Sequence, residues 1–407
     1  AFERDMAAWN LAGSNEPLWV SFQSEIKADQ YGGLLSLSAL LYRYLSPDAH
    51  RATLVLVLGA FMAALAIPFF WISIKQRWSR GLANLAAWML LLYPDGILFG
   101  SSQMREPFIL GFSAIAFWAV VSWKGWEWKR ILIFAASVVG MLLISSRIAL
   151  AIIGFLLVWF LIEQILPRYH GAKWPLWIAS GVVGLLVIAG SVGWFLTTSR
   201  FDILVTELGS GWIQKIISEA GVIFRVPIII VYGLVQPVLP AAIADPTLWI
   251  WKIIVIARAA GWYAVAPLLV YGIFTSMRAE RGRERNILLF IGGFLLFWLV
   301  ISSARAGGDA WDNPRYRANF LPWIALISAW GVQWAVEKKD AWLGRWVLVE
   351  VIFLGFFTQW YFSRYFRVWG RMSFWQTVAC IIMLSALVLT SGWWWKAGKR
   401  LLKIGPT

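Results

Sequence analysis

Apolar runs of about twenty residues recur along nearly the whole chain, and they leave few folds open. Each is long enough to cross roughly 30 Å of hydrocarbon as a helix. Inside a bilayer every backbone polar group must be satisfied within the protein, which admits helices or a closed barrel. The runs are continuous rather than alternating, so helices are expected. Composition agrees. Of 407 residues 60% are hydrophobic and only 14% charged, with a mean hydropathy of +0.69, where an average soluble domain carries roughly a quarter charged residues. The chain reads as all-α, a polytopic transmembrane helical bundle.

The tryptophans fit that reading. Trp71, Trp78, Trp123, Trp126, Trp128, Trp174, Trp177, Trp393, Trp394 and Trp395 lie near the ends of apolar runs, where an amphipathic ring prefers to sit. The net charge of +15 points to cytoplasmic anchoring loops and anionic lipid. Nucleic acid is not the expected partner, because the basic residues are scattered over short loops. Cys380 is the single cysteine, which excludes a disulfide framework. His50 and His170 lie far apart in the chain, which excludes a histidine-rich metal centre.

In chain order, 1–51 is mixed in charge and reads as an outer-face loop, with a short interfacial helix over 31–45. Residues 52–196 hold the N-terminal spans, at 52–74, 81–93, 107–123, 131–166 and 174–196. The run 131–166 would be about 54 Å long as one helix, so it is expected to be two spans, broken at Ser145, Ser146 and Arg147. Within 197–259 an amphipathic stripe (Phe201, Leu204, Val205, Leu208, Trp212) suits a helix on the membrane surface. It is followed by 226–244, interrupted by Pro227, Pro237 and Pro240, which is either a span or a re-entrant pair of half-helices. Residues 260–407 hold the C-terminal spans, at 260–277, 287–303, 318–336, 342–362 and 374–395, with the charged loop 304–317 among them. The total is about eleven spans by length.

The positive-inside rule orients this set. With the basic loops at 75–80, 124–130, 168–173, 278–285 and 337–345 cytoplasmic, 1–51, 94–106, 145–147 and 304–317 fall on the opposite face. One loop is discordant: 363–371 carries Arg364, Arg367 and Arg371 on that same face. Either it weakens the topology or it binds something anionic.

The outer loops collect most of the acidic residues, among them Asp5, Asp29, Asp95, Glu106, Asp309 and Asp312, together with Arg105, Arg147, Arg305, Arg315 and Arg317. Charge at such density beside hydrocarbon faces water, other charges or a ligand. Carboxylates and arginines at membrane level suit transfer of a sugar from a polyprenyl phosphate. Arginines bind the phosphate by forked hydrogen bonds, and a carboxylate takes the proton of the acceptor hydroxyl. Each residue also has a plainer role. Asp5 is solvated near the chain start, Asp29 caps the following helix, and Asp95 belongs to a YPDG turn. Arg105, Glu106 and Pro107 open a helix, and Arg147 snorkels. Glu350, inside a span, is expected to pair with an arginine such as Arg258.

The stretch NPRYRANFLPWIALISAW resembles the closing motif of polytopic glycosyltransferases of GT-C type, among them the protein mannosyltransferases and aminoarabinose transferases. LLYPDGILFGSSQMREPFILGFSAIAF is similar to a stretch shared by these enzymes and bacterial polysaccharide polymerases, and SSRIAL resembles an arginine turn of the polymerases. The resemblance implies a GT-C-like fold in the bacterial inner membrane, with the site facing the exterior and a polyprenyl-phosphate sugar as donor. Asp5, with Asp29 as fallback, then stands where the family has its base, and Arg105, Glu106, Arg147, Arg305, Asp309, Arg315 and Arg317 line the substrate site. It also implies a further helix before Ala1. The paired acidic motif of the two-carboxylate members is missing, which leaves the base, and any divalent metal, open. A polysaccharide polymerase or ligase leaning on arginines, and a non-catalytic lipid or solute transporter, are the alternatives.

Overall fold

A computed structural model describes residues 2–23, 32–123, 127–166, 181, 221–244, 247–307, 309 and 311–402. Every long element among them is a helix. In chain order these are α1 (Phe2–Gly13), α2 (Gly33–Leu45), α3 (Thr53–Arg77), α4 (Arg80–Leu92), α5 (Pro94–Gly100), α6 (Glu106–Val121) and α7 (Trp128–Phe160). They continue as α8 (Gly221–Leu234), α9 (Leu239–Ala244), α10 (Trp249–Arg278), α11 (Arg283–Ala306), α12 (Asp312–Ala318), α13 (Leu321–Lys338), α14 (Trp342–Tyr365) and α15 (Phe374–Leu402). The chain divides into two compact units, Ala1–Leu234 with Glu280–Leu326, and Val235–Ala279 with Ile327–Thr407.

Among the described residues six helices are long and apolar enough to cross a membrane, and a seventh candidate is α4 with α5, bent by 61°. That is fewer than the eleven expected. The expected span 174–196 and the surface stripe at 201–212 lie outside the described residues. The helix α13, expected as a span, falls short of a span's hydropathy but is almost wholly buried from Leu321 to Ala329. Gln333, Glu337 and Lys338 lower the average, and the N-terminal half packs into the core. The 226–244 region is two short helices, α8 and α9, rather than one span.

The first unit is organised around α6. Pro107 of α6 lies beside Gly59 of α3, and further along Phe117 meets Phe70 at 6.1 Å. Ser122 then donates to Gln76 at 2.5 Å. Both numberings rise together, so α3 and α6 run parallel.

Helix α7 reverses on itself. Ser145 has an extended backbone (φ −161°, ψ 90°) within the helix. Ile131 and Phe134 line the same apolar cavity of about 180 Å³ as Leu156, Leu157 and Phe160, although a straight helix would hold Ile131 and Phe160 roughly 43 Å apart. Gly140 faces Phe112, while Trp123 meets Phe160 at 5.5 Å. The two halves of α7 therefore form a hairpin against α6, with its tip at Ser145. This is the break expected for 131–166.

An aromatic core joins these helices to α11 and α13. Phe117 and Trp159 pack edge to face at 4.9 Å, as do Phe155 and Trp323 at 4.8 Å, while Trp298 and Phe320 meet at a tilt at 4.7 Å. Each such pair contributes about 0.5–1.5 kcal/mol beyond its area. Trp159 and Trp323 are fully buried and do not belong to an interfacial belt.

At the α6 C-terminal end, buried Glu163 sits in a π turn (Leu161–Ile165). It pairs with Arg77 at 2.8 Å and with Arg283, so the basic segments 75–80 and 278–285, expected on one face, meet there. Helix α6 has 16 residues, which puts the Glu163 end and the Glu106 end about 24 Å apart along its axis.

In the second unit Gly272 of α10 touches α13. A Cβ there would come within 2.1 Å of the Ile327 carbonyl oxygen, so only glycine permits the approach. Asp340 pairs with Arg278 at 2.8 Å and accepts from Tyr271 at 3.1 Å. Glu350, expected to pair with an arginine such as Arg258, has an Oε1 that takes no hydrogen bond among the described residues. Arg364 lies 4.3 Å over the Trp360 ring and donates to the Met372 carbonyl at 2.6 Å, so this arginine of the discordant loop folds the turn between α14 and α15.

Candidate functional site

Two polar clusters occupy the Glu106 end of the first unit. The first is built on α12, which follows the bend after α11. Asp309 Oδ1 accepts from the backbone N–H groups of Trp311 at 2.6 Å and Asp312 at 2.8 Å, which caps the start of α12. Asn313 is buried and donates to the Gly307 and Asp309 carbonyls at 2.7 and 3.0 Å. These bonds fix the loop and aim Arg315 across to α6, where its Nε meets Glu106 at 3.0 Å while its Nη1 meets Asp312 at 3.0 Å. Glu106 stands in the first turn of α6 and is 6% exposed. Arg305 donates to the Tyr316 hydroxyl at 3.0 Å and lies over its ring.

The electrostatics follow from burial. Burial pushes the Asp312 carboxyl up from its ordinary range, Arg315 opposes this, and Asp309 and Glu106 add to it. Burial works against the Arg315 charge, but Glu106 and Asp312 outweigh it and hold the guanidinium above its usual range. Burial also raises the Tyr316 hydroxyl, with Asp312 adding to it. Three buried acceptors here take no hydrogen bond from the protein: Glu106 Oε2, Asn313 Oδ1 and Asn319 Oδ1. Acceptors of this kind are satisfied by hydroxyl donors or water.

The second cluster centres on Asp5 of α1. Leu34, Leu35, Ser38, Ala39 and Tyr42 form the buried stripe of α2 at helical spacing, and α2 packs on α1 through Ala8, Leu11, Leu35, Ala39 and Tyr42. The expected interfacial helix is thus a packed partner of a helix the sequence did not signal. Asp5 is 5% exposed. It accepts from the Tyr42 hydroxyl and the Gln103 amide, and it faces His50 Nε2 at 2.9 Å. Burial, then the hydrogen bond to Asp5 and its charge, pushes the Tyr42 hydroxyl above its ordinary value. Trp9 stacks on the His50 ring at 5.3 Å and 33°, and Tyr42 meets its edge at 5.1 Å. Arg4 donates to the Gln103 carbonyl. Gln103 stands just before Glu106, so both clusters gather where α6 begins.

The sequence-expected residues thus part company. Glu106, Arg315 and Asp312 touch, Arg305 joins them through Tyr316, and Arg105 is the residue before α6. Arg317 is buried and donates to the Leu234 carbonyl at 3.3 Å. Asp309 spends its carboxylate on the backbone. Arg147 is exposed at the hairpin tip. Asp29 lies outside the described residues. His50, Tyr42, Gln103, Asn313 and Asn319 were not singled out by sequence. A lone histidine in a turn carries no motif, and its partner lies far away in the chain. Among the described residues no three His, Cys, Asp or Glu side chains are grouped to hold a metal ion. Comparison of the chain with protein-family models, curated proteins and solved structures finds no match.

Proposed function

We propose that the chain is a membrane glycosyltransferase of GT-C type. It would move a sugar from a polyprenyl-phosphate donor to an acceptor on the non-cytoplasmic face of the bacterial inner membrane, in polysaccharide or glycoconjugate synthesis. One observation carries the reading: the Glu106–Arg315–Asp312 and Asp5–His50–Tyr42 clusters meet at one end of α6, while the other end carries Arg77 and Arg283. By the positive-inside rule the second end is cytoplasmic, and the first opens outward. Arg305 and Arg315 supply forked donors suited to phosphate. Glu106 Oε2 and the amide oxygens of Asn313 and Asn319 offer the acceptors that sugar hydroxyls need. The helices around them give a lipid tail its place in the bilayer.

A second reading, a polymerase or ligase acting on lipid-linked oligosaccharide, is favoured by the Asp5 carboxylate. Three neighbours already occupy it, which turns the weight toward other groups. A transporter fits less well, because the charges gather at one end rather than at the midplane. The test is transfer of a labelled sugar from a polyprenyl-phosphate donor in proteoliposomes. Turnover that is lost in Arg315→Met and Glu106→Gln supports the reading. Uptake without turnover, or full turnover in both variants, refutes it.

A further inference from the structure

We propose that His50, held by Asp5, is the group that takes the proton of the acceptor hydroxyl, with Asp5 a positioning residue; the proposal rests on the glycosyl-transfer reading above.

The argument begins with what Asp5 has left to offer. Its oxygens face the Tyr42 hydroxyl, the Gln103 amide and His50 Nε2. With those donors in place Asp5 has its carboxylate oxygens already occupied and little left to accept from a further hydroxyl. Its side chain is 7% exposed, whereas that of His50 is 27% exposed, so a substrate can reach the imidazole but not the carboxylate. Nε2 is turned to Asp5, so Nε2 carries the hydrogen and Nδ1 keeps the lone pair. A buried aspartate that fixes one ring nitrogen sets the tautomer and stabilises the imidazolium once it forms. Trp9 and Tyr42 fix the ring plane, and a fixed ring loses little freedom when it reacts.

The other charged groups do not compete. Tyr42 donates its proton to Asp5 and has its hydroxyl pushed upward by burial, so it stays protonated. Arg4 reaches the cluster only through the Gln103 carbonyl, and Gln103 is neutral. Asp48 and Arg51 flank His50 in sequence.

The step balances without a redox partner. The acceptor oxygen bonds to the anomeric carbon, and its proton passes to His50 Nδ1. The bond from that carbon to the phosphate oxygen breaks, and its electron pair leaves with the polyprenyl phosphate. The imidazolium returns its proton to the released phosphate or to water.

The full chain in nanodiscs tests this with ring-labelled histidine. There are two histidines, so His170→Gln identifies the His50 signal. In Asp5→Asn the His50 ring is expected to protonate at lower pH than in the parent, because the carboxylate no longer supports the cation. In sugar transfer, His50→Ala is expected to lower kcat by about 10²–10⁴-fold with the KM for donor little changed, to lose the acidic limb of the kcat profile, and to regain rate on adding imidazole. Asp5→Asn is expected to shift that limb to lower pH. Should His50→Ala fail to fold, the Asp5→Asn shift decides. An active chain in which His50→Ala keeps its rate and limb, or Asp5→Asn loses rate with no shift, overturns the histidine role and leaves the transfer reading standing. A chain that folds, shows the Asp5-dependent titration and transfers no lipid-linked sugar overturns both.

Discussion

Removing the Arg315 guanidinium takes from the buried Glu106 carboxylate its ion-pair partner. Glu106 is 6% exposed, and Arg315 Nε is its ion-pair partner at 3.0 Å. Breaking one side of a buried pair costs about 3–5 kcal/mol. A ceiling applies, because the carboxyl can take up a proton instead. Protonating an ordinary glutamate at pH 7 costs about 3.7 kcal/mol, from about 1.36 kcal/mol per unit above a value of about 4.3. At pH 5 the same ceiling falls to about 1 kcal/mol. Arg315→Met is therefore expected to destabilise the chain by about 3 kcal/mol at pH 7, and by about 1 kcal/mol at pH 5. Arg315→Met with Glu106→Gln is expected to recover most of the loss at pH 7, because the broken pair then leaves no carboxylate behind. The assay is reversible unfolding in mixed micelles, with single and double variants arranged as a cycle. Equal losses at both pH values, or additive losses in the double variant, would refute the argument that an uncompensated carboxylate sets the cost.

Further expectations follow from other contacts. Ionised Asp312 is disfavoured by burial, so its contribution to stability is present below the ordinary aspartate range and is lost as pH rises through its raised value. Asp312→Asn should flatten that fall in a thermal melt followed from pH 4 to 7. Gly33→Ala should cost about 3 kcal/mol, the upper part of the usual overpacking range, because its Cβ would sit 1.8 Å from the Leu143 carbonyl oxygen; a melt unchanged from the parent would show that α2 does not touch the hairpin tip. Trp159→Ala should cost about 3–5 kcal/mol, since that ring packs against Trp78, Phe117 and Phe155.

Much of this was legible in the sequence, for identifiable reasons. Helical class follows from run length and from the bilayer's demand on the backbone, so it needs no contacts. The α7 hairpin was legible from length alone, since the run is too long for one crossing. The gathering of Glu106 and Arg315 at one end followed from loop parity and charge. What sequence could not supply was any pairing that depends on a third element. His50 meets Asp5 only because α2 packs on α1, and Glu163 meets Arg77 and Arg283 only because three helices end together. The role of Asp309 was within reach, because an aspartate just before a helix is a capping signal. The segment 318–336 shows a limit of run length as a signal: a helix buried among other helices looks apolar whether it crosses a bilayer or not.

The single extended residue at Ser145 fixes where the second half of α7 ends. Because the chain turns back there, it finishes beside the place where α7 began, and Glu163 can reach Arg77. Were that one backbone angle helical, Ile131 and Phe160 would stand roughly 43 Å apart. Glu163 would then be carried away from both of its arginines, and Arg77 would be left at a helix end with no carboxylate to hold it.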